Sequence, residues 1–585
     1  GWVEEDGTWY FYDKDGNRVE DTWKKSGDNW YWLDSEEGGA MAVDKLVDDD
    51  NDTYYVDSNG VMVRNTWVKV VNEDQDEDDD PAEYNYYYMQ SNGKAYKAPD
   101  NSTNTRFRTI DGKRYAFDDE GKMLYGWVNE TGERESDEDG WIDATYYLGS
   151  WDDGAMKTGW QKIYVHDERE DDDLEHWFNF KSNGKKRRNT GDDEVKEEKI
   201  NGRRYGFDDR GVMTFEWTLA TNGESGASWA STSSWRYFNN VDDGARVTKG
   251  WFKVVAPLDD NDNVFTSNYG TKTFAAKDAD EENERWYYAD GNGKVVSGEI
   301  KKIKGKYYGF RPEGDAGDNK AGAMLSGLVL MKVDPTNGKI LEVLDDGVDA
   351  DELDDLLSEA AASEIWQKYA GAVDGTNIVS LYYFGSDEDS DGAMKTGATT
   401  VNLDGQTFNF MFNKTGGAEG KGRGLTGIDD NKYVYKLGCR IKAGSDDKYQ
   451  AIRVKAGTNG ALDIHGAGVW VEKVDSQDLK AEALTFKNSD DVTVSFTDIS
   501  KKQQDDGKKY YLVNTSGNIQ RTKSAAKDGD DWYFYVHKSA LKLYTNDKNL
   551  KQKNGTSATK VDGSTVTNGS KWEHYVVDSA TTNGK

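Results

Sequence analysis

The chain has 585 residues, of which 35% are hydrophobic and 12% aromatic, and it carries a net charge of −35. So acidic a surface repels nucleic acid and anionic lipid and excludes them as main partners, and no apolar run approaches membrane-spanning length, so no membrane insertion is expected. The single Cys439 excludes an intrachain disulfide framework, and the wealth of Trp, Tyr and Phe argues against a disordered chain.

From Gly1 the chain repeats one phrase: Gly-Trp, a polar gap, adjacent aromatics, a Gly-containing turn, then Gly-Trp again. Gly1-Trp2 leads to Trp9-Tyr10-Phe11-Tyr12, the turn Asp15-Gly16-Asn17, and Thr22-Trp23. Gly126-Trp127 leads to Tyr146-Tyr147, then to Gly154-Ala155-Met156-Lys157-Thr158-Gly159-Trp160. A fixed repeat of this kind marks units that bury their apolar faces only by stacking on neighbours. Turns such as Ser58-Asn59-Gly60, Ser91-Asn92-Gly93 and Ser182-Asn183-Gly184 call for positive φ at glycine. A longer period overlies the short one. Lys113-Arg114-Tyr115-Ala116-Phe117 returns as Arg203-Arg204-Tyr205-Gly206-Phe207 and, blurred, as Lys306-Tyr307-Tyr308-Gly309-Phe310, which implies a copied cassette of hairpins.

Acidic segments interrupt the repeats at Asp48–Asp52, Asn72–Asp80, Asp167–Asp173 and Asp259–Asn263; like-charge runs of this sort read as solvated loops at hairpin tips. The basic run Lys185-Lys186-Arg187-Arg188 follows a turn and reads as a solvated loop as well. Between Asp349 and Tyr369 the period becomes helical, with Leu353, Leu356, Leu357, Ala360, Ala361, Ile365, Trp366 and Tyr369 on one stripe behind an acidic start. That stripe predicts a helix packed on the sheet. The chain accordingly divides into repeats over 1–340, a helical insertion over 341–380, further repeats over 381–436, a divergent β region over 437–505, and degenerate repeats with a tail over 506–585. The expected fold is mostly β, an elongated β-solenoid of stacked β-hairpin repeats.

Chemistry-bearing constellations are sparse. His166, His176, His465, His537 and His574 are scattered without metal or triad spacing, and Cys439 reads as a small buried hydrophobe. Asp387-x-Asp389-x-Asp391-Gly392 matches the start of a calcium loop, but its twelfth position is Ala398 where a bidentate carboxylate is needed. No catalytic residue, no structural metal site and no cofactor are expected, only weak calcium binding by the acidic loops.

The phrase Gly-Trp…Trp-Tyr-Tyr…Gly-x-Met-x-Thr-Gly-Trp resembles the cell-wall-binding repeat family. That family includes choline-binding modules of Gram-positive surface proteins, glucan-binding repeats of streptococcal glucosyltransferases and carbohydrate-binding repeats of clostridial toxins. Close copies stand at Tyr115–Trp127, Tyr146–Trp160 and Tyr237–Trp251. In the choline-binding relatives the ligand lies between consecutive hairpins, boxed by the Trp of Gly-Trp, aromatics of the Trp-Tyr-Tyr stretch and often a Met. The resemblance implies such groups here at Trp127 with Tyr146, Tyr147 and Met156; Trp160 with Trp177 and Phe178; Trp217 with Trp235 and Tyr237; and Trp251 with Trp286 and Tyr287. The same rings serve equally as core. The implied function is that of a secreted, cell-wall-associated, non-catalytic protein attaching to surface glycans, with cell-wall polysaccharide, teichoic acid choline or host glycan as partner. A structural protein self-assembling through its hairpin edges is the alternative. Because the chain starts inside a repeat, a binding region cut from a larger secreted enzyme or toxin is a third reading.

Overall fold

A computed structural model of the chain describes residues 1–101, 103–169, 171–189, 195–221, 231–257, 284–313, 320–358, 368–372, 374, 376–415, 420–455, 470–487, 490–549, 558–559, 565–566 and 572–577. They are mostly β and fall into two compact units. The first holds the described residues of Gly1–Ser228 and Ser234–Val247, the second those of Thr248–Asp259 and Asp280–Lys585 with 231–233.

The first unit is a run of antiparallel hairpins. Trp2–Glu5 pairs with Thr8–Phe11, Thr22–Ser26 with Asn29–Asp34, Lys45–Asp49 with Asp52–Val56, and Thr66–Val71 with Tyr84–Met89. The two cassette copies match in register: Arg108–Ile110 pairs with Lys113–Tyr115 as Glu198–Ile200 does with Arg203–Tyr205. Turn glycines take the expected positive φ, +78° at Gly60 and +83° at Gly93 and Gly184. An isolated hairpin is marginal in water, so the bonds between hairpins matter most. After each turn the chain bridges back to its own hairpin, as Val56↔Met62, Phe117↔Met123 and Phe207↔Met213. These residues, and Met156, donate their amides to the preceding hairpin: Met62 to the Trp30 carbonyl (2.9 Å), Met123 to Tyr86 (2.7 Å), Met156 to Arg114 (2.8 Å) and Met213 to Trp177 (2.8 Å). Each methionine side chain also lies over the turn glycine that follows it. A Cβ at Gly93, Gly154, Gly184 or Gly244 would stand 2.3, 2.3, 2.3 or 2.7 Å from the sulfur of Met62, Met123, Met156 or Met213. The Gly…Met spacing of the repeat is thus a packing rule between neighbours.

Two sequence expectations change here. The acidic loops are not simply solvated. Arg134 pairs with Asp78 and, at 3.1 Å, with Asp80. Asp167 is fully buried, 2.8 Å from His176 Nε2 and 2.9 Å from the Arg210 guanidinium. Opposite charge draws these carboxylates inward against the cost of desolvation. The segment Asp259–Asn263 lies outside the described residues. Nor is the basic run simply solvated: Arg188 is exposed, but Lys186 is only 6% exposed.

The second unit starts with hairpins of the same type, Gly250–Val255 with Glu284–Ala289 and Glu299–Ile303 with Lys306–Phe310. Larger sheets follow. Gly397–Leu403, Gln406–Phe412, Cys439–Arg440, Tyr433–Lys436 and Gly427–Asp429 form one five-stranded sheet; Leu484–Lys487, Thr493–Asp498, Ala540–Thr545, Tyr533–His537 and Lys523–Lys527 form another. Helix α1 (Ala350–Leu357) is capped by Asp349, whose Oδ1 accepts the Glu352 amide at 2.7 Å. It buries Leu353, Leu356 and Leu357 in one cluster with Leu328, Val379, Leu381 and Tyr369, so the predicted stripe packs on the sheet. Residues 359–367 of that stripe lie outside the described residues. Helices α2 (Ser476–Ala481) and α3 (Ile499–Asp506) fall in the region read as β. α3 is Lys/Gln/Asp-rich with buried residues only in its first turn, so no helical stripe announced it.

Candidate functional site

Recurrent aromatic corners form where one hairpin meets the next. Cross-strand register sets the first walls. Trp160 opens a strand whose residue Lys162 faces Trp177, so Trp160 and Trp177 point to one face, with ring centroids 6.4 Å apart and planes at 85°. The following hairpin supplies the next wall, Tyr205, 4.8 Å from Trp160 and at 61°. Met213, fixed by its amide bond to the Trp177 carbonyl, closes the corner within the same cluster. The group in the second unit is built alike: Trp251 meets Trp286 at 6.2 Å and 87° and Tyr308 at 4.8 Å and 74°, with Met324 bonded to the Trp286 carbonyl at 2.8 Å. Pairs at these angles are the edge-to-face contacts that aromatic rings favour in packing, and ring faces of this kind also attract a cation.

Earlier hairpins repeat the pattern with residues that the sequence had not singled out. Trp23, Trp30, Tyr54 and Met62 share a cluster, as do Trp67, Tyr86, Tyr115 and Met123. At the start of the chain Trp2, Trp9, Tyr31 and Met41, with Ser26 and Asn59, line an open cavity of about 330 Å³; Trp2 meets Tyr31 at 5.5 Å and 77°, and Trp9 is 40% exposed. The indole N–H groups of Trp2, Trp23 and Trp177 are shielded and have no hydrogen-bond partner among the described residues. In the Trp251 corner Asp389 accepts from the Trp286 indole (2.8 Å) and from Lys253 (2.7 Å), and these bonds hold its carboxyl below the usual range. That carboxylate belonged to the partial calcium loop; Asp391 is likewise engaged by Lys395, and among the described residues no cluster suited to a metal ion forms.

The groups expected from sequence are partly regrouped. Trp217 does meet Trp235 (5.7 Å) and Tyr237 (5.2 Å), but Trp217 and Trp235 are buried. Trp127 faces Tyr147 at 4.8 Å, whereas Tyr146 pairs with Val128 and so points to the other face, clustered with Met156, Ala116 and Leu148. Phe178 belongs to the Trp127 corner (5.2 Å), not to that of Trp160. Tyr287 is fully buried and stacks on Phe252, leaving Tyr288 opposite Trp251. The cause is the two-residue period of a strand: adjacent aromatics never share a face.

Beside Trp127 and Tyr147 opens a cleft of about 950 Å³, also lined by Trp151, Tyr164, Arg134, Glu138, His166 and Asp173. Asp173, 2.8 Å away, and Glu138 raise the His166 imidazole above its ordinary value. Cys439 is buried, and burial pushes its thiol up to about 12.

No family model matches the chain and no curated protein matches it. Solved structures do: the chain is similar to choline-binding proteins of Streptococcus pneumoniae. CbpJ shares 19% identity over 56% of this chain and 95% of its own, with a TM-score of 0.30. CbpF shares 16% over 75% and 98%, at 0.21. The modular autolysin LytC of the same organism, solved with a synthetic peptidoglycan ligand, shares 15% over 53% of this chain, at 0.28, and the chain spans only 50% of that structure.

Proposed function

We propose that the chain is a non-catalytic extracellular binding protein, associated with the cell wall, that attaches to cell-wall or surface glycans through its aromatic corners. The cationic head group of a choline-decorated polymer is the ligand fragment that those corners fit. The observation that carries this reading is the same four-part corner, Trp-Trp-Tyr-Met, rebuilt at Trp160 and Trp251 from residues of successive hairpins. A net charge of −35 favours a cationic ligand further.

The energy scale follows from the rings. Each contributes about 1 kcal/mol to a bound cation, so three rings with their burial give a dissociation constant on the order of 1 mM per corner. Several corners on one chain then hold a polymer by avidity. An array of wall polymers and host glycans, with free choline as competitor, tests the reading. Retention on choline-bearing polymers that choline displaces is expected; a folded chain that retains none of these glycans contradicts it.

A further inference from the structure

The Trp127 corner departs from the others at one recurring position. In the corners at Trp23, Trp67, Trp160 and Trp251, the residue that bridges back to the next hairpin is Met62, Met123, Met213 and Met324; at Trp127 it is Lys186, opposite Phe180. The backbone role is unchanged, for the Lys186 amide donates to the Thr145 carbonyl at 2.7 Å. The stem also does what methionine does: a Cβ on Gly211 would come within 2.7 Å of Lys186 Cδ. Only the tip differs. Its Nζ lies 5.3 Å from the Trp127 ring centroid and 6.0 Å from that of Phe178.

The site is built to hold that amine. Lys186 Nζ donates to the carbonyls of Trp141 (2.7 Å) and Ile142 (3.1 Å), so its hydrogen bonds run to neutral oxygens and to ring faces rather than to a carboxylate. A second change accompanies the first. The residue whose carbonyl receives the bridging amide is Trp30, Tyr86, Trp177 or Trp286 in the other corners but Thr145 here. Trp141, 5.8 Å from Phe178, takes the vacated side, with its own indole N–H bonded to the His166 carbonyl at 2.9 Å. An amine on a flexible stem has therefore replaced methionine where ring faces converge, burial lowering its pKa to about 7, and the surroundings have been refitted around it.

We propose that the Trp127 corner is filled by the chain's own Lys186 amine and is thereby closed to external ligand, so that methionine or lysine at this one repeat position decides which corners bind. The inference rests on the reading that the methionine-type corners take a cationic head group. The repeat at Trp127 then serves to hold its neighbours together, since the internal amine ties the turn after Phe180 to the segment carrying Trp141.

Two measurements on the intact chain test it. Acetylation of lysines under native conditions, read by mass spectrometry, is expected to modify Lys186 about 10-fold or more slowly than its neighbour Lys185, because a buried amine reacts only on local opening. Equal rates would overturn the filled corner whatever the chain binds. Calorimetric titration with choline then compares wild type with Lys186→Met. One additional site is expected in the variant, removed again by adding Trp127→Leu. A folded variant with the wild-type number of sites, in a chain whose other corners do bind choline, overturns the gating role. If neither protein binds choline while Lys186 stays shielded, the reading of the open corners fails and the self-filled corner stands.

Discussion

Gly184→Ala tests the coupling between neighbouring repeats. Gly184 has φ of +83°, and an added Cβ would lie 2.3 Å from Met156 Sδ and 2.7 Å from its Cγ. Left-handed backbone costs a non-glycine residue about 1–2 kcal/mol; forcing a methyl group into occupied space costs about 1–3 kcal/mol more. Met156 cannot retreat freely, because its amide is bonded to the Arg114 carbonyl and its side chain packs against the Tyr146 cluster. The total is about 2–5 kcal/mol. Gly202 is the control: it has the same φ of +83° with nothing within 4 Å of the added Cβ, so Gly202→Ala isolates the backbone cost of about 1–2 kcal/mol. A chain of 585 residues does not unfold in two states, so the assay is hydrogen exchange of the intact protein, read on peptides around 156–165 and 176–186. The excess for Gly184→Ala should vanish when Met156→Ala is added, as a double-mutant cycle requires of touching groups. Equal destabilisation by Gly184→Ala and Gly202→Ala would refute the idea that the glycine–methionine contact locks successive repeats.

Asp167→Asn should destabilise the first unit by about 3–5 kcal/mol, since it strips a buried carboxylate from His176 and Arg210. Burial alone would raise the Asp167 carboxyl, but those two partners hold it far below the usual range. Its contribution is therefore present above the ordinary carboxylate pKa and lost as pH falls below it, and acid unfolding of the variant, followed by circular dichroism, should show a weaker dependence on pH than wild type in that range. Calcium should bind weakly at several places along the acidic segments, with a modest rise in Tm beyond that produced by sodium at equal ionic strength; one submicromolar stoichiometric site by calorimetry would contradict this. Cys439 should resist a thiol reagent until the protein is unfolded, because burial keeps the thiol protonated; modification of the native chain at the rate of a free thiol would be the opposite result.

What could be read from the residues beforehand was local. Adjacent aromatics, turn glycines and the Asp349-led apolar stripe each state their structure within a few positions; hairpins and left-handed glycines stand where they were expected, and α1 starts where expected but ends at Leu357, with Ser358 extended, short of the predicted Tyr369. The corner geometry was legible only in part. Trp160 and Trp177 lie two residues apart in register within one hairpin and could be paired from sequence, but Tyr205 and Met213 arrive from the following hairpin. The missing signal was strand alternation applied across two repeats: it assigns Phe178 to the Trp127 corner and turns Tyr146 and Tyr287 away. Lys186 was hidden for a different reason. Its neighbours Lys185 and Arg187 are more exposed, so the run resembles a charged loop, and only alignment with Met123 and Met213 shows that the second lysine occupies a packing position.

Calorimetric titration of choline into the intact chain, beside Trp160→Leu and Trp251→Leu variants, tests the aromatic-corner reading most directly. Saturable binding near the millimolar range at several sites is expected, with each substitution removing about one site while the remaining hairpins keep their exchange protection. A folded wild-type chain that releases no binding heat up to tens of millimolar choline, or variants that retain every site, would contradict it.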